Sequence, residues 1–368
     1  MKIFWLFNHP APYKVDFFNE LGKHCELTAM FERDQEGGRN AEFYSHKAKT
    51  FREIRCHAHP IGAINSCSFA PVKHLKKNHY DVVVLNGYRT FTEMKTISYC
   101  RRHKIPYVFY INGGIKKVKE NPLQRAIKRK YISRASSYLC PDENSAEYLT
   151  YYGAEPSLIS IYPYSSVYEK ELVSSPLSLE EKLAIRKELG IEGKHVYASS
   201  GFFIPRKNFG QLISLWPHMP KEDTLVIIGE GPLQEKFEAQ IKELGLTNVK
   251  LLPFMSHDKE LRFFSCADAF LFLSKEDIYG HVIEEALSQA LPIVSDAQVN
   301  AAVHLVHVNE NGYLVPLDEQ EKILKSFIDV LNPDFPKRCL EIAKENTIES
   351  SVKYHLSYFT SYLEKVKQ

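Results

Sequence analysis

The sequence predicts an α/β protein of two Rossmann-like domains in tandem, facing a central cleft. Three observations lead there. The chain has 368 residues, more than one ordinary core holds and enough for two domains of roughly 100 to 200 residues each. Short apolar runs alternate with amphipathic segments, the order that gives a parallel sheet covered on both faces. The alternation runs twice, with a polar, irregular stretch between the two series.

In the first series KIFWLF (2–7), ELTAMF (26–31), DVVVLNG (81–87), PYVFYING (106–113) and SSYLC (136–140) read as buried strands. They are continuous apolar runs rather than alternating ones, as strands covered on both faces require. Helices are expected over 14–23, 91–103, 122–135 and 144–152. The second series repeats the plan with HVYASSG (195–201), TLVIIGEG (224–231), VKLLPF (249–254), AFLFLS (269–274) and PIVSD (292–296). The connection is expected between Pro163 and Gly193, where YPYSS and VSSPLSLEE are polar and irregular. This gives domains at 1–165 and 166–348 and a last helix at 349–368. In that helix Val352, Leu356, Phe359, Leu363 and Val366 share one stripe. The stripe must pack, either across the first domain or on its own.

Charged residues are 25% and apolar residues 44% of the chain, which excludes a disordered protein. Seven cysteines without a CxxC pair read as reduced thiols of a cytosolic protein and speak against structural zinc. The opening MKIFWLFNHPAPY is too short an apolar run for a signal segment or a membrane span, so a cytoplasmic location is expected. Fifteen histidines show no HExxH spacing, and no Asp-x-Asp occurs. His304 and His307, three apart without acidic or cysteine company, read as structural, so neither a metal nor a cofactor is expected.

Net charge is only +2, but residues 101–134 hold eleven Lys/Arg against one acid, Glu120. A solvated helix face is one reading. Lys128, Arg129 and Lys130 beside Ile127, Tyr131 and Ile132 also suit an anionic membrane surface, where each cation adds about 1 kcal/mol. On that second reading the chain is expected in peripheral contact with the inner face of the cell membrane. No nucleic-acid motif accompanies the charges.

The chemistry concentrates in SKEDIYGHVIEEAL, Ser274 to Leu287. It holds two acid pairs of equal spacing, Glu276 with Glu284 and Asp277 with Glu285, and helical periodicity does not choose between them. Gly280 joins an apolar strand to an apolar-periodic helix, a junction where backbone approaches an anionic ligand. A second stretch, SSGFFIPRKNFGQLISL (199–215), sets Gly201 at a strand end and Arg206, Lys207 and Asn208 just after it.

In this order the stretches resemble the retaining, metal-independent glycosyltransferases of family 4 (group 1), of the bacterial surface-polysaccharide type and the GT-B fold. That pattern runs serine, acid, glycine and then Glu-Ala, here Ser274, Asp277, Gly280 and Glu285-Ala286. It selects Asp277 with Glu285 and leaves Glu276 and Glu284 as bystanders. Gly229 and Gly231, the segment 249–274 and NENGYLVPL (309–317) extend the likeness. The resemblance implies that Glu285 accepts the ribose hydroxyls of a sugar nucleotide and that Asp277 approaches the donor sugar in place of the usual Glu. It further implies Lys207 and Arg206 as cations for the diphosphate, with Gly280, His281, Gly201 and Asn208 binding the donor. Phe202 stands where the family commonly has Arg. In the first domain Asn112 and Gly113 take the place of a His-Gly near donor sugar and acceptor, and Asn, unlike His, is no base.

The implied activity moves a hexose-type sugar from a nucleoside diphosphate sugar, a UDP-sugar as the expected donor, to a saccharide or lipid-linked saccharide acceptor with retention of configuration. The alternatives are a GT-B sugar-nucleotide epimerase or phosphorylase, or a catalytically silent GT-B partner subunit.

Overall fold

The structure is a computed structural model that describes residues 1–34, 44, 46–56, 58–61, 65–116 and 120–367. The chain divides into two compact units: Met1–Ser166 with Thr347–Gln368, and Val167–Asn346.

The first unit is built on β1 (Lys2–Phe7), β2 (Glu26–Phe31), β3 (Arg52–Arg55), β4 (His59–Ile61), β5 (Asn65–Cys67), β6 (Val82–Asn86), β7 (Val108–Tyr110), β8 (Ser137–Cys140) and β9 (Ile159–Ile161). All but β4 and β5 form one sheet in the order β3-β2-β1-β6-β7-β8-β9, with every pairing parallel. β4 and β5 make a separate antiparallel pair. The connecting helices are α1 (Pro12–Leu21), α2 (Ala70–Lys77), α3 (Phe91–Arg102), α4 (Pro122–Ile132) and α5 (Glu143–Tyr151). Their starts follow from local chemistry. Pro12 opens α1, where a missing N–H costs nothing, and Thr90 with Glu93 closes a reciprocal capping box on α3. The core combines Phe4, Leu6, Val83, Leu85, Ile97, Phe109 and Tyr138, each at most 3% exposed. Burying each such apolar side chain contributes roughly 1.5–3 kcal/mol.

The second unit contains β10 (Val196–Ser200), β11 (Thr224–Ile228), β12 (Val249–Leu252), β13 (Ala269–Phe272), β14 (Ile293–Ser295) and β15 (Gly312–Leu314), ordered β12-β11-β10-β13-β14-β15 and again wholly parallel. Its helices are α6 (Leu179–Leu189), α7 (Phe209–Leu215), α8 (Gln234–Glu243), α9 (His257–Cys266), α10 (Val282–Ser288), α11 (Asn300–Leu305), α12 (Gln320–Asp329) and α13 (Phe335–Glu345). Two parallel α/β sheets are what the alternation of apolar runs predicted. In each sheet the chain reverses its direction of travel beside the first strand, at β1/β6 and at β10/β13. Crevices for ligands open at the carboxyl ends of such strand pairs.

The last helix, α14 (Ile348–Lys367), belongs to the first unit and packs against α1. Its buried face differs from the stripe expected from sequence. Val352 and Phe359 are buried, but Val366 is 41% exposed and Leu356 and Leu363 only half-buried. His355 and Tyr362 complete the face instead. Aromatic packing turns the helix: His355 lies 4.9 Å from Phe17, 4.9 Å from Tyr162 and 5.8 Å from Trp5, measured between ring centres. Among the described residues no helix is long and apolar enough to cross a membrane.

Candidate functional site

In the second unit the switch point brings together the loops that leave β10 and β13. After Ser200 the chain passes Gly201 and the exposed Phe202, then makes a short 3-10 turn, Pro205–Lys207. Phe203 anchors that loop between Phe209 and Phe237. Asn208 takes a left-handed conformation at φ 61°, and its amide donates to the Leu273 carbonyl at 3.0 Å. From the other side, the Ser274 hydroxyl reaches the carbonyls of Arg206 and Glu276, each at 3.1 Å, and the Lys275 N–H donates to the Arg206 carbonyl at 2.8 Å. Ser274 is fully buried. Its role is to stitch the two loops together.

The stitching sets three charges in one place. The Lys207 ammonium donates to the Asp277 carboxylate and lies over the Phe272 ring at 4.5 Å. The Arg206 guanidinium is 3.5 Å from the same carboxylate oxygen and donates to the Glu276 carbonyl at 3.1 Å. Burial pushes the Asp277 carboxyl up, but the charge and hydrogen bond of Lys207, with Arg206 and His281 behind, outweigh it and hold the group below its ordinary value. Asp277 is therefore a carboxylate at neutral pH, flanked by two cations. The stem of Lys207 crosses close over Gly201.

Gly280 is required by its geometry. At φ 101° a side chain is strained, and a β-carbon there would lie 2.9 Å from a Val299 methyl. Val299 in turn pairs with Asp277 as an isolated bridge, and the Asp277 N–H donates to the Gln298 carbonyl at 3.0 Å. His281 follows, its Nδ1 2.7 Å from a Glu284 carboxylate oxygen. Glu284 lies off the apolar stripe of the sequence, yet it is 2% exposed. The reason is packing: α10 meets α9, α11 and α13, so more than one face is covered. Glu276, by contrast, is exposed.

Glu285 occupies a different flank of α10. Its carboxylate is 3.6 Å from Nδ1 of His257, whose Nε2 is 3.7 Å from Glu171. Glu260, one turn along α9, accepts a hydrogen bond from the Ser200 hydroxyl. Burial pulls His257 down, but the carboxylates of Glu171, Glu285 and Glu260 around it outweigh this and raise the imidazole to about 9. Burial and the neighbouring Glu285 push Glu260 up to about 7. Burial raises Glu171 as well, but the nearby His257 imidazolium and the hydrogen bond it accepts from the Tyr168 N–H overcome this and lower it. A protonated imidazole thus sits among three acids at the carboxyl end of β10. Glu171, Ser200, His257 and Glu260 are not singled out by the sequence. Ser200 adjoins Gly201, which is a weak signal; Glu171 lies in the irregular stretch 163–193, where nothing marks it.

The structure brings together Arg206, Lys207, Asp277, Gly280 and His281 on one side and groups Glu285 with His257 and Glu260. Asn112 and Gly113 lie in the first unit, just beyond β7. The Asn112 amide oxygen is buried with no hydrogen-bond partner among the described residues, and the N–H of Gly114, two residues on, donates to the Ser145 hydroxyl at 2.9 Å. Phe202 is 43% exposed, so the residue in the expected place of an arginine carries no charge toward the site.

Residues 181–346 match the family model described as glycosyl transferases group 1, and that segment contains every donor-side residue just described except Glu171. Across 98% of this chain and all of the other, the fold superposes on that of Anabaena HepE in complex with UDP, with a TM-score of 0.78 at 17% identity. The fold is that of the GT-B glycosyltransferases. The sucrose-phosphate synthase of Thermosynechococcus elongatus shares it over the full length of both chains, with a TM-score of 0.75 at 14% identity. In sequence, 128 residues are 27% identical to a Campylobacter jejuni enzyme, N-acetylgalactosamine-N,N'-diacetylbacillosaminyl-diphospho-undecaprenol 4-alpha-N-acetylgalactosaminyltransferase. That match spans 35% of this GT-B chain and 35% of the relative.

Proposed function

We propose that this chain is a retaining glycosyltransferase that moves a hexose-type sugar from a UDP-sugar to an acceptor hydroxyl, in polysaccharide or glycolipid assembly. The observation that carries the reading is the Arg206–Lys207–Asp277 cluster, held at the carboxyl ends of β10 and β13 inside the segment that matches the group 1 glycosyl transferases. Glycosyl transfer leaves a nucleoside diphosphate, whose developing charge needs fixed cations. Lys207 and Arg206 provide two. Asp277 keeps both aligned and accepts a hydrogen bond from a hydroxyl of the donor sugar. Glu285 takes the ribose hydroxyls, with His257 fixing its charge. His281, Gly280, Gly201 and Asn208 shape the backbone around the donor.

In this reading no metal is used, since Lys207 and Arg206 supply the positive charge. Attack from the same face as departure, without a covalent intermediate, is what the resemblance to the retaining enzymes implies, and the reading assigns no nucleophile of the protein. The acceptor binds the first unit near Asn112 and Gly113, where Asn112 has an amide oxygen free to hydrogen-bond a hydroxyl. A lipid-linked acceptor agrees with the basic stretch 101–134 in peripheral contact with an anionic membrane. Lys117 and Lys119 of that stretch lie outside the described residues.

A panel of UDP- and GDP-sugars tests the donor. One of them should raise the melting temperature in the presence of a chelator, and Glu285→Ala should abolish the shift. If no sugar nucleotide stabilises or is turned over by the wild type, the transferase reading fails. Release of free nucleotide without transfer would favour an epimerase, and dependence on phosphate a phosphorylase.

A further inference from the structure

α6 of the second unit leaves two leucines in water. Leu179 and Leu183 are 64% and 49% exposed and lie one turn apart, on the same face of the helix. Single exposed leucines are ordinary on a protein surface, but this pair adjoins a hollow of about 360 Å³ at the end of the same helix, lined by Leu183, Lys187, Gly190 and Ile191 among others. Gly190 caps the helix in the left-handed conformation, and a β-carbon on it would meet nothing within 4 Å. The space over the helix end is open.

The charges of α6 are of two kinds. Four of its six charged side chains are engaged within the unit. Lys182 and Arg186 hold the Asp268 carboxylate at 3.1 and 2.6 Å, Glu181 accepts from the Ser178 hydroxyl at 2.7 Å, and Glu188 pairs with Arg262. The other two, Glu180 and Lys187, are exposed and form no ion pair among the described residues. At about 100° per residue, Leu179, Leu183, Lys187 and Glu180 fall within about 100° of one another. The two unengaged charges therefore share the leucine face, the acid near its start and the base near its end. Both are equally far along the helix from the midpoint between Leu183 and Ala184.

We infer that this face of α6 binds the same face of a second copy of the chain, helix against helix in opposite directions, about a two-fold axis between Leu183 and Ala184. The charges choose the occupant. In a contact between identical patches, whatever residue i meets on the second copy meets residue i in return. The antiparallel arrangement sets Glu180 against Lys187 of the second copy and Lys187 against its Glu180. Leu179 of each copy then reaches the far end of the other helix and enters the hollow between Lys187 and Gly190. A parallel contact would set like charges together and leave both hollows empty. Stable interfaces commonly bury about 1,200–2,000 Å², and a pair of 11-residue helices falls at the low end. The dimer is therefore a reversible one, of micromolar affinity. Nothing in the inference depends on the transferase reading.

Sedimentation velocity of the full chain decides the matter. Between about 1 and 500 µM, the range of a weak contact, the wild type should pass from monomer to dimer. Leu179→Glu should stay monomeric throughout. Glu180→Lys or Lys187→Glu alone should weaken the dimer at least about fivefold, because symmetry makes each change break two ion pairs and set like charges together twice. Glu180→Lys combined with Lys187→Glu should regain the wild-type affinity within about twofold, since the exchanged pair is complementary again. That recovery also shows that the single variants lost the contact rather than the fold. A wild type that remains monomeric at the highest concentration overturns the inference. A dimer indifferent to Leu179→Glu lies elsewhere on the molecule and overturns it too, and a double variant no tighter than the single ones overturns the antiparallel arrangement.

Discussion

Lys207 and Asp277 form a buried ion pair at a strand end, and the consequence of breaking it differs with the partner removed. Asp277 without Lys207 is a largely buried carboxylate left with Arg206, itself half exposed, and the more distant His281. Lys207→Ala is therefore expected to lower transfer by about 10²–10³, the usual loss when one fixed donor to a developing anion is removed, and to weaken the donor-induced thermal shift. Glu276→Ala, at an exposed position, should change neither. The nearby acids give a pH signature. Glu260 titrates at about 7 in the fold against an ordinary 4.5, so the folded state holds a proton that the unfolded chain has lost, and stability falls as pH rises between those values. His257 acts in the same direction: raised to about 9 from 6.5, its contribution is full below 6.5 and is lost as pH rises through 9. Glu260→Gln should thus flatten the decline of the melting temperature between about pH 5 and 7, measured against the wild type. An unchanged slope would mean that Glu260 is ionised in the fold. At this scale the sequence discloses single residues and hides their company. Ser274, Gly280 and Lys207 are legible because they stand in short motifs whose order resembles a family pattern. The pairing of Lys207 with Asp277 joins residues 70 apart, and the group of Glu285, His257 and Glu171 joins three separate segments, so neither leaves a local pattern.

Elements follow the same division. The central strands were readable because a parallel strand covered on both faces is a continuous apolar run, as VVVLN of β6 and AFLF of β13 show. The sheet edges were not. β3 is Arg-Glu-Ile-Arg, and β9 and β15 have three residues each, too short or too polar for a pattern of period two to emerge. The apolar period after Gly280 continues through Ala290, but α10 ends at Ser288 and Ala290 lies beyond it at φ 59°. The turns between elements carry a prediction of their own. Gly229, at φ 153° beyond β11, packs directly on the Gly201 carbonyl and the Phe203 ring. Gly229→Ala places a methyl against that carbonyl, and backbone yields less readily than a side chain. The loop that carries Lys207 must shift, so at least about 2 kcal/mol of stability should be lost, in the range of overpacked cores. Chemical denaturation measures the loss; a midpoint like that of the wild type would show that the loop moves freely.

For the whole molecule the decisive feature is that α14 returns to the first unit. The first unit is closed by its last helix, and the seam is a cluster of aromatic rings around two buried bases. Lys14 is 1% exposed, donates to the Tyr110 hydroxyl at 2.7 Å, and has the rings of Tyr110, Phe17 and Tyr164 at 4.7, 4.8 and 5.0 Å. Burial lowers its affinity for a proton well below the ordinary value. His355 of α14 is wholly buried beside it, bonded through Nδ1 to the Ser351 carbonyl at 2.7 Å, and burial lowers it to about 3. A base whose folded value is depressed contributes stability that is present above its unfolded value, here 6.5, and is lost as pH falls toward about 3. Acid should therefore attack the first unit through the α14 seam. Truncation after Asn346 removes the same seam by another route, uncovering Trp5, Phe17 and Tyr110 and leaving the second unit's residues untouched. Hydrogen exchange on the full chain at about pH 4 and on the truncated chain at neutral pH should show the same early loss of protection in β1 and α1, with β10 and β13 still protected. Protection lost evenly over both units would mean that the seam does not control the first unit, and an acid response restricted to the second unit would place the controlling titration at Glu171 or Asp277, whose carboxyls are held below their ordinary values, instead.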